Sequence, residues 1–253
     1  MNNTEKIIAL EKEVKKLSLE LEKLKGSNHE STDYTSWINM LDDNWRILFK
    51  HNVKNQLTIA DWWKSADYWR THNEIQIDKE FFEKSYSINM FSCRLKNETL
   101  IRSLLPLTHI NNLIGLNCQG SSIDDLSPIS HMTNMKYLDI RGSLVKDILP
   151  IKNFNSLESL NYQENYDEKV NDLSGFTKLK YLNLRYGNLT NITFVENFKD
   201  LETLSVGYTN LKSIKPLLNL EKLTSVKMPK TDVPESEVLE LKEANPNCEI
   251  AIY

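Results

Sequence analysis

Met135-Lys-Tyr-Leu-Asp-Ile140, Leu179-Lys-Tyr-Leu-Asn-Leu184 and Leu201-Glu-Thr-Leu-Ser-Val206 are one phrase written three times, at separations that are multiples of 22 residues. The same apolar-x-x-apolar-x-apolar pattern stands at Leu113/Leu116/Cys118, Leu157/Leu160/Tyr162 and Leu223/Val226/Met228. Apolar residues further along each unit keep the period too. Ile123, Leu126, Ile129 and Met132 correspond to Val145, Ile148, Ile151 and Phe154, then to Leu189, Ile192, Val195 and Phe198, then to Leu211, Ile214, Leu217 and Leu220. A fixed period of this length specifies a solenoid, because each unit needs its neighbours to bury its apolar face. With the first apolar residue of each unit as offset 0, a short strand runs to about offset 8 and its side chains alternate. Offsets 3 and 5 then face the core, while offsets 2, 4 and 6 face outward from a parallel sheet.

The second half of each unit returns along the convex side. Pro106, Pro128, Pro150 and Pro216 hold one offset there. A ring that fixes φ and lacks a donor predicts 3₁₀ or extended turns in place of long helices. An earlier copy begins at Ile88/Phe91/Cys93 and continues through Ile101, Leu104, Leu107 and Ile110; it is 25 residues long, so its ascending loop gains three. The unit at Leu157 has Asp167 at offset 10, where other units are apolar. Val170-Asn-Asp-Leu173 aligns instead with Ile123-Asp-Asp-Leu126, so residues 163–169 read as a small insertion at the concave rim.

The 22-residue unit, its Ile-x-Asp-Ile/Leu-x-Pro-Leu/Ile return and the Leu or Cys at the strand's third apolar site resemble the internalin-like class of bacterial leucine-rich repeats across residues 88–233. The resemblance implies an α/β solenoid, a leucine-rich-repeat arc with a parallel concave sheet. It also implies a non-enzymatic role in which the concave face grips a protein partner.

Composition narrows the classes. The chain has 253 residues, a formal net charge of −4, 40% hydrophobic and 26% charged residues, which suits a soluble protein with a sizeable core. Mixed charge leaves no basic footprint for nucleic acid. No apolar run approaches the roughly 18 residues of a membrane span, and Met-Asn-Asn-Thr-Glu-Lys-Ile lacks the apolar core of a signal peptide. Cys93, Cys118 and Cys248 make no disulfide framework. The first two share one inward offset, where Cys acts as a small hydrophobe. Structural thiols and a cytoplasmic location are expected.

Residues 1–27 form a different unit. Ile7, Leu10, Val14, Leu17, Leu21 and Leu24 occupy successive a and d heptad sites, with no Gly or Pro before Gly26. Ile, Val and Leu at a with Leu at d favour a parallel two-stranded coiled coil. Lys6–Glu11 and Glu20–Lys25 would be attractive pairs across such a homodimer. The alternative is one amphipathic helix packed on its own chain. In residues 28–87 a polar linker precedes an aromatic-rich segment with all five tryptophans, Trp37, Trp45, Trp62, Trp63 and Trp69. Helices are expected over residues 37–52, 58–71 and 78–84, as a cap that closes the first repeat or leaves a Trp exposed as a partner anchor. Residues 234–253 make the other cap. Pro234 at the first helical position opens a helix with Val238, Leu239 and Leu241 on one face; Cys248, Ile250 and Ile252 form a last edge strand.

Motifs for chemistry are few. The chain has no Gly-x-Gly-x-x-Gly, phosphate loop, His-Glu-x-x-His or Gly-x-Ser-x-Gly, and only 7 glycines. His72-Asn-Glu74 starts like a deaminase motif, but no Pro-Cys-x-x-Cys follows. His109 and His131 share a convex offset 22 residues apart, as solvated side chains or as a two-His metal site. Asp42-Asp43 and Asp124-Asp125 read as turn or cap carboxylates. No cofactor or metal is expected.

The concave face is the better candidate. Its outward offsets carry Tyr137, Asp139, Arg141, Asn161, Gln163, Tyr181, Asn183, Arg185, Tyr186 and Tyr208, the expected partner-binding set, with Ser159, Glu164, Thr203 and Ser205 among them. Offset 6 alternates Arg94, Gln119, Arg141, Gln163, Arg185. Tyr and Arg are enriched at interface hot spots; the plain alternative is a solvated sheet face. Arg141 and Arg185 lie two strands apart, about 10 Å, a spacing suited to two carboxylates. The function expected is a protein-binding scaffold or adaptor. A secreted or injected effector acting on a host protein is the alternative, and an enzyme sited in the Trp-rich segment a third.

Overall fold

Strands of three residues, each one repeat apart, build a single parallel sheet in sequence order. They are β1 (Met90–Ser92), β2 (Gly115–Asn117), β3 (Tyr137–Asp139), β4 (Ser159–Asn161), β5 (Tyr181–Asn183), β6 (Thr203–Ser205), β7 (Ser225–Lys227) and β8 (Glu249–Ala251). The computed structural model describes residues 34–55, 84–85, 88–93, 101–164 and 170–253. The heptads, the linker, Trp62, Trp63, Trp69, Arg94, nearly all of the two later cap helices and residues 165–169 of the insertion lie outside these.

The register is the sequence period laid out in space. Leu116 pairs with Leu138, Leu138 with Leu160, Leu160 with Leu182, Leu182 with Leu204 and Leu204 with Val226. Strands this short hold because every apolar offset stacks on its own kind. Leu113, Met135, Leu157, Leu179 and Leu201 have no exposed surface, nor do the five leucines of offset 3 from Leu116 to Leu204. Phe154, Phe176 and Phe198, one per repeat, fill the convex side of the same core. The prolines act as expected. Leu105–Leu107, Ser127–Ile129, Leu149–Ile151 and Lys215–Leu217 are 3₁₀ turns with Pro in the first two positions. Val170–Gly175 and Thr193–Asn197 make the turn without it. Asp125 accepts from the backbone N–H of Ser127 (2.8 Å), the turn role read from the sequence, and Asp147 does the same for Leu149 (2.9 Å).

Residues from Asn39 to Tyr253 make one compact unit. The single helix expected over residues 37–52 is two: α1 (Tyr34–Met40) and α2 (Asp43–Asn55). Asp42 divides them, its Oδ1 accepting from Trp45 N at 2.9 Å as an N-cap does. Helix α2 covers the edge of the sheet. Trp45 and Phe49 lie 5.8 and 5.1 Å from the ring of Phe91 in β1. Asn52 Nδ2 donates to Ser92 O (3.1 Å) and Asn52 Oδ1 accepts from Ser92 N (2.9 Å), so the edge strand's polar groups are met from within the chain.

At the far end α3 (Glu235–Ala244) differs from expectation in two ways. Pro234, at φ −63° and ψ 141°, is the N-cap and not the first helical residue. Val238 and Leu241 are buried, but Leu239 is 55% exposed: one step along a helix rotates about 100° and carries it off the apolar face. Glu237 anchors the helix by accepting from Ser213 Oγ and Ile214 N, both at 2.8 Å. The last strand stops at Ala251, leaving Ile252 exposed.

Candidate functional site: the concave face

Five columns of side chains run from repeat to repeat on this side, at offsets 1, 2, 4, 6 and 7, and each does a different job. At offset 1 the charges alternate, and Glu158 sits between Lys136 (3.2 Å) and Lys180 (2.9 Å). The hydrogen bond from Lys180 holds the Glu158 carboxyl below its ordinary range. This edge is electrostatically closed. At offset 2, Tyr137, Ser159, Tyr181 and Thr203 are half-buried, and burial raises the Tyr181 hydroxyl pKa.

Offset 4 is outward in direction but not in exposure. Asn117, Asp139, Asn161, Asn183 and Ser205 are each at most 8% exposed, since strands about 4.8 Å apart pack these short side chains against one another. Asn117, Asp139 and Asn183 turn an Oδ1 back to the backbone N–H two residues on, at Gln119 (3.0 Å), Arg141 (3.2 Å) and Arg185 (3.2 Å). That is an Asx turn at the strand exit. Asp139, Asn161 and Asn183 therefore build the surface from beneath.

The two arginines of offset 6 are not alike, against the expectation that they form a matched pair. Arg141 Nε lies 3.3 Å from Asp139 Oδ2, and its Nη2 donates to Gln119 Oε1 at 2.7 Å. Its charge is compensated inside the chain. Gln163 is committed as well, accepting from Asn183 Nδ2 (3.0 Å) and donating to Glu164 Oε1 (2.8 Å). Arg185 has no carboxylate within ion-pairing distance among the described residues. Its guanidinium instead stands 5.2 Å from the ring of Tyr186 and 5.4 Å from that of Tyr208. The two rings stack at 4.5 Å and 19°.

The stack rests on a backbone requirement that the pattern of apolar residues does not display. The six units from Leu113 to Leu223 each take a left-handed conformation at offset 7: Gly120 (φ 65°), Gly142 (61°), Glu164 (64°), Tyr186 (58°), Tyr208 (58°) and Lys230 (57°). The turn lets the N–H of this residue reach the next repeat's offset-6 carbonyl, as from Tyr186 to Gly207 (3.1 Å) and Tyr208 to Pro229 (2.7 Å). Glycine at Gly120 and Gly142 was the signal for this position; Lys230 belongs to the same rim and was not singled out. At offset 6 beside Tyr208 stands Gly207, where a Cβ would meet the Pro229 ring at 2.5 Å.

Other candidates resolve differently. His109 is not a solvated histidine. It is 3% exposed, its Nε2 is 2.6 Å from Ser85 Oγ, and burial lowers its pKa to about 4. His131 Nε2 lies 3.2 Å from Ile110 O. Among the described residues no group of three or more His, Cys, Asp or Glu is placed to hold a metal, and no helix is long and apolar enough to cross a membrane. Cys93, Cys118 and Cys248 are buried free thiols, with the first two sulfurs 3.6 Å apart.

No family model and no curated protein matches the chain. Solved structures do. An internalin C2 of Listeria monocytogenes is similar at 22% identity and a TM-score of 0.62 over 81% of each chain. An internalin (inlF) of the same organism is similar at 20% identity and a TM-score of 0.60 over 71% of this chain and 52% of that one, so the chain spans about half the length of that neighbour. The likeness is one of fold, and the fold is an α/β solenoid of internalin-like leucine-rich repeats with its parallel sheet on the concave face.

Proposed function

We propose that the protein is a non-enzymatic binding scaffold or adaptor whose concave face grips a protein partner around Tyr181, Arg185, Tyr186 and Tyr208. The observation that carries this reading is the pair of tyrosines at φ 58°. A bulky residue there costs about 1–2 kcal/mol of backbone strain, and glycine serves the same turn two repeats away. Strain kept where glycine would do is a mark of use. Tyr137 and Arg141 flank the centre, while Asp139, Asn161, Gln163 and Asn183 hold its backbone and side chains in place.

The test is capture of the partner from lysate by the full chain. Arg185→Glu with Tyr208→Ser should abolish capture, while Glu196→Lys on the convex turn should leave it intact. Survival of capture in the double variant would move the binding surface elsewhere.

The same reading takes residues 1–27 as a coiled coil that pairs two copies in the cytoplasm, so that two concave faces act together. Light scattering should then give a dimer for the full chain and a folded monomer after deletion of residues 1–27. An unchanged mass after deletion would end the dimer proposal.

A further inference from the structure

The two concave arginines differ in one respect that bears on partner chemistry. Arg141 already has an anion, Asp139 Oδ2 at 3.3 Å. Arg185 has none among the described residues. Its Nε, like that of Arg141, is buried and without a hydrogen-bond partner, but its Nη2 reaches only Tyr186 Oη, at 3.5 Å, where that of Arg141 is held by Gln119 at 2.7 Å. What lies beside the cation is the Tyr186–Tyr208 stack, with ring centroids at 5.2 and 5.4 Å. Ring quadrupoles attract a guanidinium and fix its plane, but they do not neutralise it. A half-buried cation with one nitrogen desolvated and no counter-charge among the described residues stands to gain from an anion delivered to its outer nitrogens.

From this we infer that the concave face is an acceptor for a single carboxylate of a peptide segment, bound by Arg185, with the adjacent apolar side chain of that segment laid on the exposed face of Tyr208. The inference rests on the concave-face reading above and names its partner chemistry. Charge complementarity selects the carboxylate. Arg185 is one cation with no carboxylate in ion-pairing reach among the described residues, and one cation suits one negative charge. Tyr208 is 42% exposed and supplies the apolar shoulder. Arg141 takes no part, because a second carboxylate there would compete with Asp139. The partner thus needs one acidic residue next to an aromatic or aliphatic one, and not the two carboxylates that the spacing of the arginines suggests.

The experiment uses the full chain, labelled with ¹⁵N, and reads the Nε–H resonances of Arg185 and Arg141 by NMR. The probes are the N-acetylated, C-amidated tripeptides Phe-Asp-Phe and Phe-Asn-Phe, and inorganic phosphate. The acidic tripeptide should shift Arg185 Nε–H and the Tyr208 ring signals saturably. The amide counterpart should bind about tenfold more weakly or less, the worth of a charge-assisted hydrogen bond. Arg141 Nε–H should stay where it is. Arg185→Gln should remove the discrimination between the two tripeptides; Arg185→Lys keeps the charge without the fork and should retain only part of it. Equal binding of both tripeptides, stronger binding of phosphate, a response at Arg141 instead, or no shift at tens of millimolar would each overturn the inference. The two proposals fail separately. If partner capture depends on Arg185 and Tyr208 but the tripeptides are not distinguished, the docking face stands and the carboxylate preference falls. If the tripeptides are distinguished but capture survives the double variant, the carboxylate site stands and the partner docks elsewhere.

Discussion

One turn of backbone is made six times along the concave rim, and its two ends make it with different residues. At the N-terminal end the turn residues are Gly120 and Gly142; further along they are Glu164, Tyr186, Tyr208 and Lys230, all with φ between 57° and 65°. The fold asks the same of each position, so the fold does not explain the difference. Glycine satisfies the turn without steric cost. Tyrosine satisfies it against a cost and adds a stacked pair of rings with a cation over them. The arginines repeat the lesson: Arg141, at the glycine end, is neutralised by Asp139, and Arg185, at the tyrosine end, has no carboxylate in ion-pairing reach among the described residues. On the reading proposed above, the tyrosine end is the one left open to a partner.

If the ends differ only at the rim, their cores should respond alike. Leu138→Ala and Leu182→Ala each remove a fully buried offset-3 side chain and should each cost about 2–5 kcal/mol, from lost burial and the cavity left behind. Tyr181→Ala, next to Leu182 but on the concave side, should cost far less. Chemical denaturation measures all three. A Leu138 value well below that of Leu182 would mean that the glycine end is loosely packed, and the comparison would then be one of stability.

Acid separates the ends further. His109 is neutral in the fold, its pKa lowered from 6.5 to about 4 by burial against Ser85 and the ring of Phe49 at 5.8 Å. As pH falls below 6.5 the unfolded chain takes up a proton that the fold refuses. Stability is therefore fully present above that value and declines towards pH 4, by about 3 kcal/mol in all. Hydrogen exchange at pH 4.5 should show β1 and β2 losing protection before β5 and β6, and His109→Gln should reduce the difference. Equal loss of protection along the sheet would mean that the histidine does not govern acid stability.

What could be read in the sequence follows from what repeats. Leucines at offsets 0 and 3 recur as leucines, so the register of β2 to β7 followed from counting, and Pro106, Pro128, Pro150 and Pro216 marked the convex turns directly. Offset 7 repeats a dihedral angle and not a residue type. Gly, Gly, Glu, Tyr, Tyr, Lys has no common side chain, and only the two glycines hinted at φ > 0. Offset 4 misled for a related reason: Asp139, Asn161 and Asn183 were expected to face a partner because they are polar and point outward, but they are nearly buried, and Oδ1 of Asn117, Asp139 and Asn183 caps the strand exits. His109 was placed on the convex surface by its offset, where Ser85 and α2 bury it, an effect of the cap and not of the repeat. Of the candidate set, Arg185, Tyr186 and Tyr208 come together at one place. The heptad residues from Ile7 to Leu24 lie outside the described structure.

The smallest stability effect belongs to the most decisive variant, Tyr208→Gly. Relief of the left-handed strain should return about 1–2 kcal/mol. The greater backbone freedom of an unfolded glycine should remove about 0.5–1 kcal/mol, and loss of the stack with Tyr186 a further 0.5–1.5 kcal/mol or so. These terms nearly cancel, so the melting temperature should move by no more than a few degrees. Partner capture should nevertheless fall sharply, because the exposed ring and one of the two faces that orient Arg185 are gone. The reverse change belongs at the glycine end. Gly142→Ala puts a Cβ at φ 61° and 3.3 Å from Glu164 Oε2, and should cost about 1–2 kcal/mol without touching capture. A residue whose removal spares the fold and ends binding is there for the partner. Should Tyr208→Gly instead destabilise by more than about 2 kcal/mol, beyond what a lost ring pair accounts for, the tyrosines would be structural and the two ends of the rim would differ only in how they hold the same turn.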